Sequence, residues 1–354
     1  MLSPVEPAPR ATRLSLALEG GLVLPDAGVI AVLHPRVGES LEPLAPGRLS
    51  VITPHAADHA FFAAQGLSVM SSTEGMEKPA AVLVCLPRAR AEARDLIARA
   101  AEMTDGPVIV DGQKGDGIDA MLKALRGRTD LSAPIAKGHG KIAWFPGGAA
   151  LSDWRSASAE ITDDQGRRFI TLPGLFSADG VDPGSALLAG ALPALSGEGA
   201  DLGAGWGYLS ASLLARAPGV TALHLIESDA RALDCARANI GDARARFHWA
   251  DATQPLPGMQ LDFIITNPPF HTGRAARPAL GAAFIRAASA MLKPNGRLWL
   301  VANRHLPYEA ALADSFRQAG EFAEGGAGFK LMLGEGPKSA KAPGRAQRSR
   351  GRAR

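Results

Sequence analysis

Short apolar runs alternate with longer stretches of helical periodicity through almost the whole of this chain, and they do so twice. In the first half, 29–33, 49–52, 81–86, 107–110 and 140–145 read as strands, with helices expected over 58–65, 89–103 and 117–125. In the second half the strands are a short one entering 201–207, then 223–226, 247–249, 262–266 and 296–302. Helices are expected to end at 192 and to cover 208–216, 230–240, 279–292 and 308–319, and residues 321–322 and 329–333 close as a hairpin. Strands separated by helices must cross over the sheet before pairing, so the pattern predicts an α/β chain with mostly parallel sheets and helices on both faces.

The halves resemble each other. LSVITPHAADHAFF tracks LHLIESDARALDCA, and VLVCLPR followed by GPVIVDG tracks FIITNPPF followed by GRLWLVAN. This is the mark of an internal duplication. In that register Leu86 falls where Asn267 is and Thr53 where Glu227 is, and no glycine-rich turn occurs in the first half. The first copy is therefore expected to keep the fold and lack the chemistry. The expected organisation is an unstructured 1–12, a degenerate unit over 13–155, a polar junction or hairpin near 152–170, a catalytic unit over 165–335, and a basic, disordered tail over 336–354.

Residues 262–271, DFIITNPPFH, carry the most specific chemistry. A buried strand runs into Asn267-Pro268-Pro269-Phe270, where each proline fixes φ and removes a backbone donor, and the residue before a proline is held extended. The Asn267 side-chain oxygen and the Pro268 carbonyl can each accept one N–H of a planar amino group. Phe270 can stack on the base that bears it. His271 is a structural or RNA-contacting residue in preference to a base.

A glycine run lies upstream, between a strand and a helix: Asp201, Gly203, Gly205 and Gly207. Glycines there let backbone approach a ligand, and the helix N-terminus offers N–H groups. Glu227, 24 residues after Gly203, stands where an acid binds ribose hydroxyls. Asp251, one strand later, is placed to accept from an adenine amino group. A dinucleotide is a poor fit, because the third glycine comes one residue early and Asp201 would repel a pyrophosphate. S-adenosylmethionine, with an ammonium and no phosphate, suits the set. Asp179 and Ser185 are candidates for its amino-acid end, with helix capping an equal alternative for Ser185.

With LFSADGVDPGSALL (175–188), DLGAGWG (201–207), DFIITNPPFH (262–271), VANRHLPY (301–308) and GFKL (328–331), the second half resembles the class I S-adenosylmethionine-dependent methyltransferases. It is similar in particular to the bacterial two-domain ribosomal RNA guanine-N2 methyltransferases. That resemblance implies tandem Rossmann-like domains, each a mostly parallel seven-stranded sheet with a C-terminal antiparallel hairpin. It implies cofactor contacts from Asp201, Gly203, Gly205, Gly207 and Glu227, and a grip on the target amino group by Asn267, Pro268, Pro269 and Phe270. The first domain is implied to assist RNA binding, with 16S rRNA preferred to 23S as substrate. Trp206 departs from the pattern as a bulky residue inside the glycine loop.

Charge bears on the partner. The net charge is +3, but residues 338–354 hold seven Lys/Arg and no acid, so residues 1–337 carry −4. A basic Arg-Gly-Ser tail attracts phosphate backbones, and Lys137, His139 and Lys141 in AKGHGK could touch RNA. Cys85 and Cys235 sit in apolar segments and read as reduced thiols. No apolar run approaches membrane-spanning length, and the N-terminus lacks a signal-peptide layout. A cytoplasmic monomer is expected. Two alternatives stay open: methylation of another planar amino group (adenine N6 or a protein glutamine amide), and a non-catalytic RNA-binding assembly factor.

Overall fold

The computed structural model describes residues 9–269, 278–326 and 328–338. Phe270, His271 and the basic tail beyond residue 338 lie outside them.

The chain opens with α1 (Pro9–Glu19), then β1 (Ile30–Leu33), β2 (Leu49–Ile52), α2 (Ala56–Ala63), β3 (Ser68–Met70), β4 (Ala81–Cys85), α3 (Arg90–Met103), β5 (Pro107–Gln113), α4 (Ile118–Leu125), β6 (Ile135–Lys137) and β7 (Gly140–Pro146). These strands form one seven-stranded sheet in the order β3-β2-β1-β4-β5-β7-β6. A small antiparallel pair, β8 (Ala159–Thr162) and β9 (Arg168–Thr171), leads to the second unit.

That unit contains α5 (Pro183–Ala191), β10 (Gly197–Leu202), α6 (Tyr208–Arg216), β11 (Val220–Glu227), α7 (Ala230–Asn239), β12 (Ala245–Trp249), β13 (Leu261–Thr266), α8 (Pro278–Met291), β14 (Leu292–Asn303), α9 (Glu309–Ser315), β15 (Phe316–Ala323) and β16 (Phe329–Pro337). Its sheet runs β12-β11-β10-β13-β14-β16-β15, the same permutation as the first. In both sheets the last-but-one strand in the order is antiparallel to its neighbours and the rest are parallel. The expected fold class is thus the observed one. The inner strands β4 and β13 are buried, save for half-buried Asp262 of β13, because helices cover both of their faces.

Three local expectations need correction. Residues 9–12, read as unstructured, begin α1. Arg10 and Arg13 are both buried against Asp111 at the end of β5: Arg10 Nε donates at 2.7 Å and Arg13 Nε and Nη2 at 2.5 and 2.8 Å. The helix expected over 308–319 stops at Ser315, because Phe316 turns into the core and its strand pairs along β16. β16 runs through Pro337, two residues further than the expected boundary.

The units meet through a pseudo-symmetric bridge. His55, preceding α2, pairs with Asp229, preceding α7. Ala56 N–H donates to Ser228 O at 2.8 Å, and Ala230 N–H donates to Pro54 O at 2.8 Å. The Trp249 indole N–H donates to both of those carbonyls at 2.9 Å. Arg231 of the second unit donates to Glu92 of the first at 2.7 Å. Among the described residues no helix is long and apolar enough to cross a membrane.

Replacing Asp111 with Ala leaves the buried Arg13 guanidinium without a carboxylate and Arg10 with Glu39 alone. The expected cost is about 3–5 kcal/mol, measured as an earlier denaturant midpoint for the first unit. An unchanged midpoint would mean that the pair contributes nothing.

Candidate active site

β10 is the central strand of the second sheet, and its register sets the site. Leu202 at its end pairs with Ile226 of β11 on one side and with Thr266 of β13 on the other. Gly203, Glu227 and Asn267 therefore leave the sheet together at one edge, the carboxyl ends of parallel strands, where α/β folds bind ligands. Asp251 follows two residues after Trp249, which pairs with Glu227.

The turn after β10 needs its glycines. Gly203 has φ +72°, and Gly207 has φ +92° and packs so closely that a Cβ would stand 2.8 Å from Ile240 Cδ1. Trp206 does not block the loop. Its side chain is buried beside Phe169 and Tyr208, and its indole N–H donates to Phe176 O at 3.0 Å.

Two adjoining chambers open here. One of about 40 Å³ is lined by Asp182, Ser185, Asp201 and Asn267 among others. The other, about 430 Å³, is lined by Glu227, Ser228, Asp251, Pro268, Pro269 and Phe284 among others. Phe176, Gly203, Gly205 and Asn267 line both. Asp179, expected at the narrow end, is exposed and lines neither chamber, whereas Ser185 lines the small one.

Asp201 and Glu227 are the electrostatic core. Asp201 is 1% exposed and accepts from the Ser210 hydroxyl at 2.7 Å. Burial pushes its carboxyl up to about 7, opposed by that hydroxyl and reinforced by Glu227. Glu227 accepts from Gly205 N–H at 2.8 Å and Asp229 N–H at 2.9 Å, and burial raises its pKa too, against those bonds. Neither acid has a Lys or Arg partner among the described residues. Two buried carboxyls without a cation suit a ligand that brings its own positive charge. Asp251 accepts from Thr253 N–H at 2.9 Å and Oγ1 at 2.7 Å, all through one oxygen.

The Asn267 side chain is oriented by partners that the sequence reading did not name for that purpose. Its Nδ2 donates to Asp182 Oδ2 and to Ser185 Oγ, each at 2.8 Å. A carboxylate accepts and cannot donate, so the amide nitrogen must face Asp182 and the Asn267 oxygen is left to accept. Asp182 also caps α5 by accepting from Ser185 N–H at 2.7 Å. The signal was present as D-P-G-S, a capping aspartate with proline at the first helical position, but spacing alone could not show that the cap touches Asn267. Lys141, a possible RNA contact, pairs with Asp119 at 2.6 Å.

A methyltransferase small domain model matches residues 166–332, the unit that holds both chambers. The fold and site thus define a methyltransferase of the small-domain class. The chain is 32% identical over 248 residues to ribosomal RNA small subunit methyltransferase C of Shewanella sp. (strain MR-4), covering 67% of this chain and 72% of that one. It is 30% identical over 249 residues to the protein of that name from Shewanella oneidensis, with the same coverage. The T. thermophilus 16S rRNA N2 G1207 methyltransferase RsmC, solved in complex with AdoMet and guanosine, shares the fold across 94% of both chains with a TM-score of 0.75 at 24% identity. The chain belongs to the ribosomal RNA small subunit methyltransferase C family.

A cationic ligand beside Asp201 requires that carboxyl ionised. S-adenosylmethionine affinity is therefore expected to climb as pH rises toward about 7 and to level off above it. Asp201→Asn should flatten the profile as well as weaken binding. Titration calorimetry at several pH values checks this, and a pH-independent wild-type affinity would separate Asp201 from the ligand's charge.

Proposed function

We propose that this protein transfers a methyl group from S-adenosylmethionine to the exocyclic N2 amino group of a guanine in small-subunit ribosomal RNA. The observation that carries the reading is the Asn267 amide, turned by Asp182 and Ser185 so that its oxygen accepts. Family membership and the two cation-seeking carboxyls support it.

The residues divide the work. Asp201 and the backbone of Gly203, Gly205 and Gly207 hold the amino-acid end of the cofactor in and beside the small chamber. Glu227 takes the ribose hydroxyls, and Asp251 takes the adenine amino group. The cofactor supplies an electrophilic methyl group. Asn267 Oδ1 and the Pro268 carbonyl accept the two N–H bonds of the target amine. The nitrogen lone pair is then presented along one direction, while Pro268 and Pro269 keep the loop from adapting to other shapes. Phe270 is assigned to stacking on the base by the family resemblance. Orientation and electrostatics carry the catalysis, and the amine releases one proton as it becomes secondary.

The first unit has lost the acids and the asparagine of the site and is assigned to RNA binding, helped by the Arg-rich tail. Both units bind each other through their ligand-side edges, which suits a monomer, and a ribosomal RNA substrate supports a cytoplasmic location.

The test is transfer of labelled methyl to ribosomal RNA and subunits from cells lacking the protein, read by nucleoside mass spectrometry. N2-methylguanosine in the small-subunit RNA is the expected product. Label in adenosine or in protein would move the substrate to another planar amine, and no transfer despite cofactor binding would favour an assembly factor. Asn267→Ala should leave cofactor affinity within a few-fold and reduce turnover about a hundredfold or more. Full turnover in that variant would overturn the site.

A further inference from the structure

The first unit keeps a cavity in the place where the second binds its ligand. It measures about 230 Å³. Its walls include Leu33, His34, Ile52, Pro54, Thr73 and Leu96.

Strand register aligns these walls with the catalytic site. Leu33 pairs with Ile52 as Leu202 pairs with Ile226. His34 N–H then donates to Ile52 O at 2.8 Å, as Gly203 N–H donates to Ile226 O at 2.8 Å. His34 holds φ +57° where Gly203 holds +72°. Ile52 pairs with Met70 as Ile226 pairs with His248, which sets Thr73 in the place of Asp251. Leu96 and Phe284 are each the seventh residue of a 14-residue helix following the equivalent strand. Both line their respective cavities.

The cavity also contains an unsatisfied polar group. His34 is 7% exposed, and its Nδ1 has no hydrogen-bond partner among the described residues. The nearest acid, Glu92 Oε1, stands 3.5 Å away, beyond hydrogen-bond length, and is already held by Arg231 at 2.7 Å. A non-glycine residue in left-handed backbone with a buried orphan nitrogen is costly unless something uses it. Burial lowers the pKa of the imidazole, opposed by Glu92, and a neutral imidazole offers one donor and one acceptor.

The lost residues define what cannot bind. Thr53 stands for Glu227, Thr73 for Asp251 and, since Leu33 is level with Val84 as Leu202 is with Thr266, Cys85 and not the expected Leu86 for Asn267. The carboxylates in these walls, Glu92 and Asp95, are already held by Arg231 at 2.7 Å and by Arg99 at 2.6 Å. The volume is about half that of the large catalytic chamber. What fits is a flat heterocycle, clasped by Leu33, Ile52, Pro54 and Leu96, hydrogen-bonded at its edge by His34 and bordered by the Glu92–Arg231 and Asp95–Arg99 ion pairs. We propose that this cavity binds a single nucleobase, either of a free nucleoside or of an RNA strand, as a second site distinct from the methyl-transfer centre. It rests on the duplicated fold and not on guanine methylation.

The test uses the full chain with its cofactor site saturated by S-adenosylhomocysteine. Adenosine, and separately an oligoribonucleotide without guanine, are titrated by calorimetry. Leu96→Trp fills the cavity, and His34→Asn removes the imidazole while tolerating the left-handed backbone. Wild type is expected to bind adenosine or the oligonucleotide, and both variants to bind at least tenfold more weakly. Their affinity for S-adenosylhomocysteine should be unchanged, which shows that they fold. Binding of adenosine identifies a nucleoside site, and binding of the oligonucleotide alone identifies a base within a strand. If neither probe binds, or if both variants bind as wild type does, the proposal is wrong.

Discussion

A parallel sheet delivers all of its parallel strand ends to one edge, and in the second unit everything chemical depends on that. β10 lies between β11 and β13 with Leu202 level with Ile226 and Thr266. Gly203 and Asn267, each one residue beyond its strand, stand there with Glu227, the last residue of β11, far apart in sequence and adjacent in space. The right residue types would be useless in any other register, since a slip of one position would send each side chain to the opposite face. The apolar strand cores, buried under helices on both sides, are what fix it.

The same constraint shapes the relation between the units. Each presents the loop after its second strand, and the two loops pair as His55 with Asp229. Ser228 lines the catalytic chamber and Pro54 lines the cavity of the first unit. The Trp249 indole bonds to the carbonyls of both. Asp229 is bonded through its N–H to Glu227 and through its carboxylate to Arg231, which reaches Glu92 across the junction. The first unit therefore buttresses the acid assigned to the ribose, even though it has lost that acid itself.

Much of this was legible in the sequence because it is written in local patterns. Alternation of apolar runs and helical stretches gave the fold class, and the repeat of LSVITPHAADHAFF in LHLIESDARALDCA gave the second sheet. The glycine turn, Glu227 and NPP were recognisable because each is a short motif with a backbone reason. What stayed hidden was long-range pairing. The start of α1, expected to be unstructured, is ordered because Arg10 and Arg13 meet Asp111, about a hundred positions away. The sequence offered Ser185 as a helix cap, whereas Asp182 caps α5 and also accepts from Asn267. Trp206 looks like an obstruction until it is seen to turn into the core. The early end of α9 follows from pairing along β16, which overrides local helix propensity.

The orientation of Asn267 by Asp182 is the point on which the chemistry turns, and a double-mutant cycle measures it. Turnover is compared for wild type, Asp182→Ala, Asn267→Ala and the double variant, with cofactor affinity followed in parallel to separate positioning from loss of the helix cap. If Asp182 acts by turning the Asn267 amide, its removal should lower kcat about tenfold with Asn267 present and have little effect without it, a coupling of about 1–2 kcal/mol. Strictly additive losses would contradict that orientation and leave Asp182 as a helix cap alone.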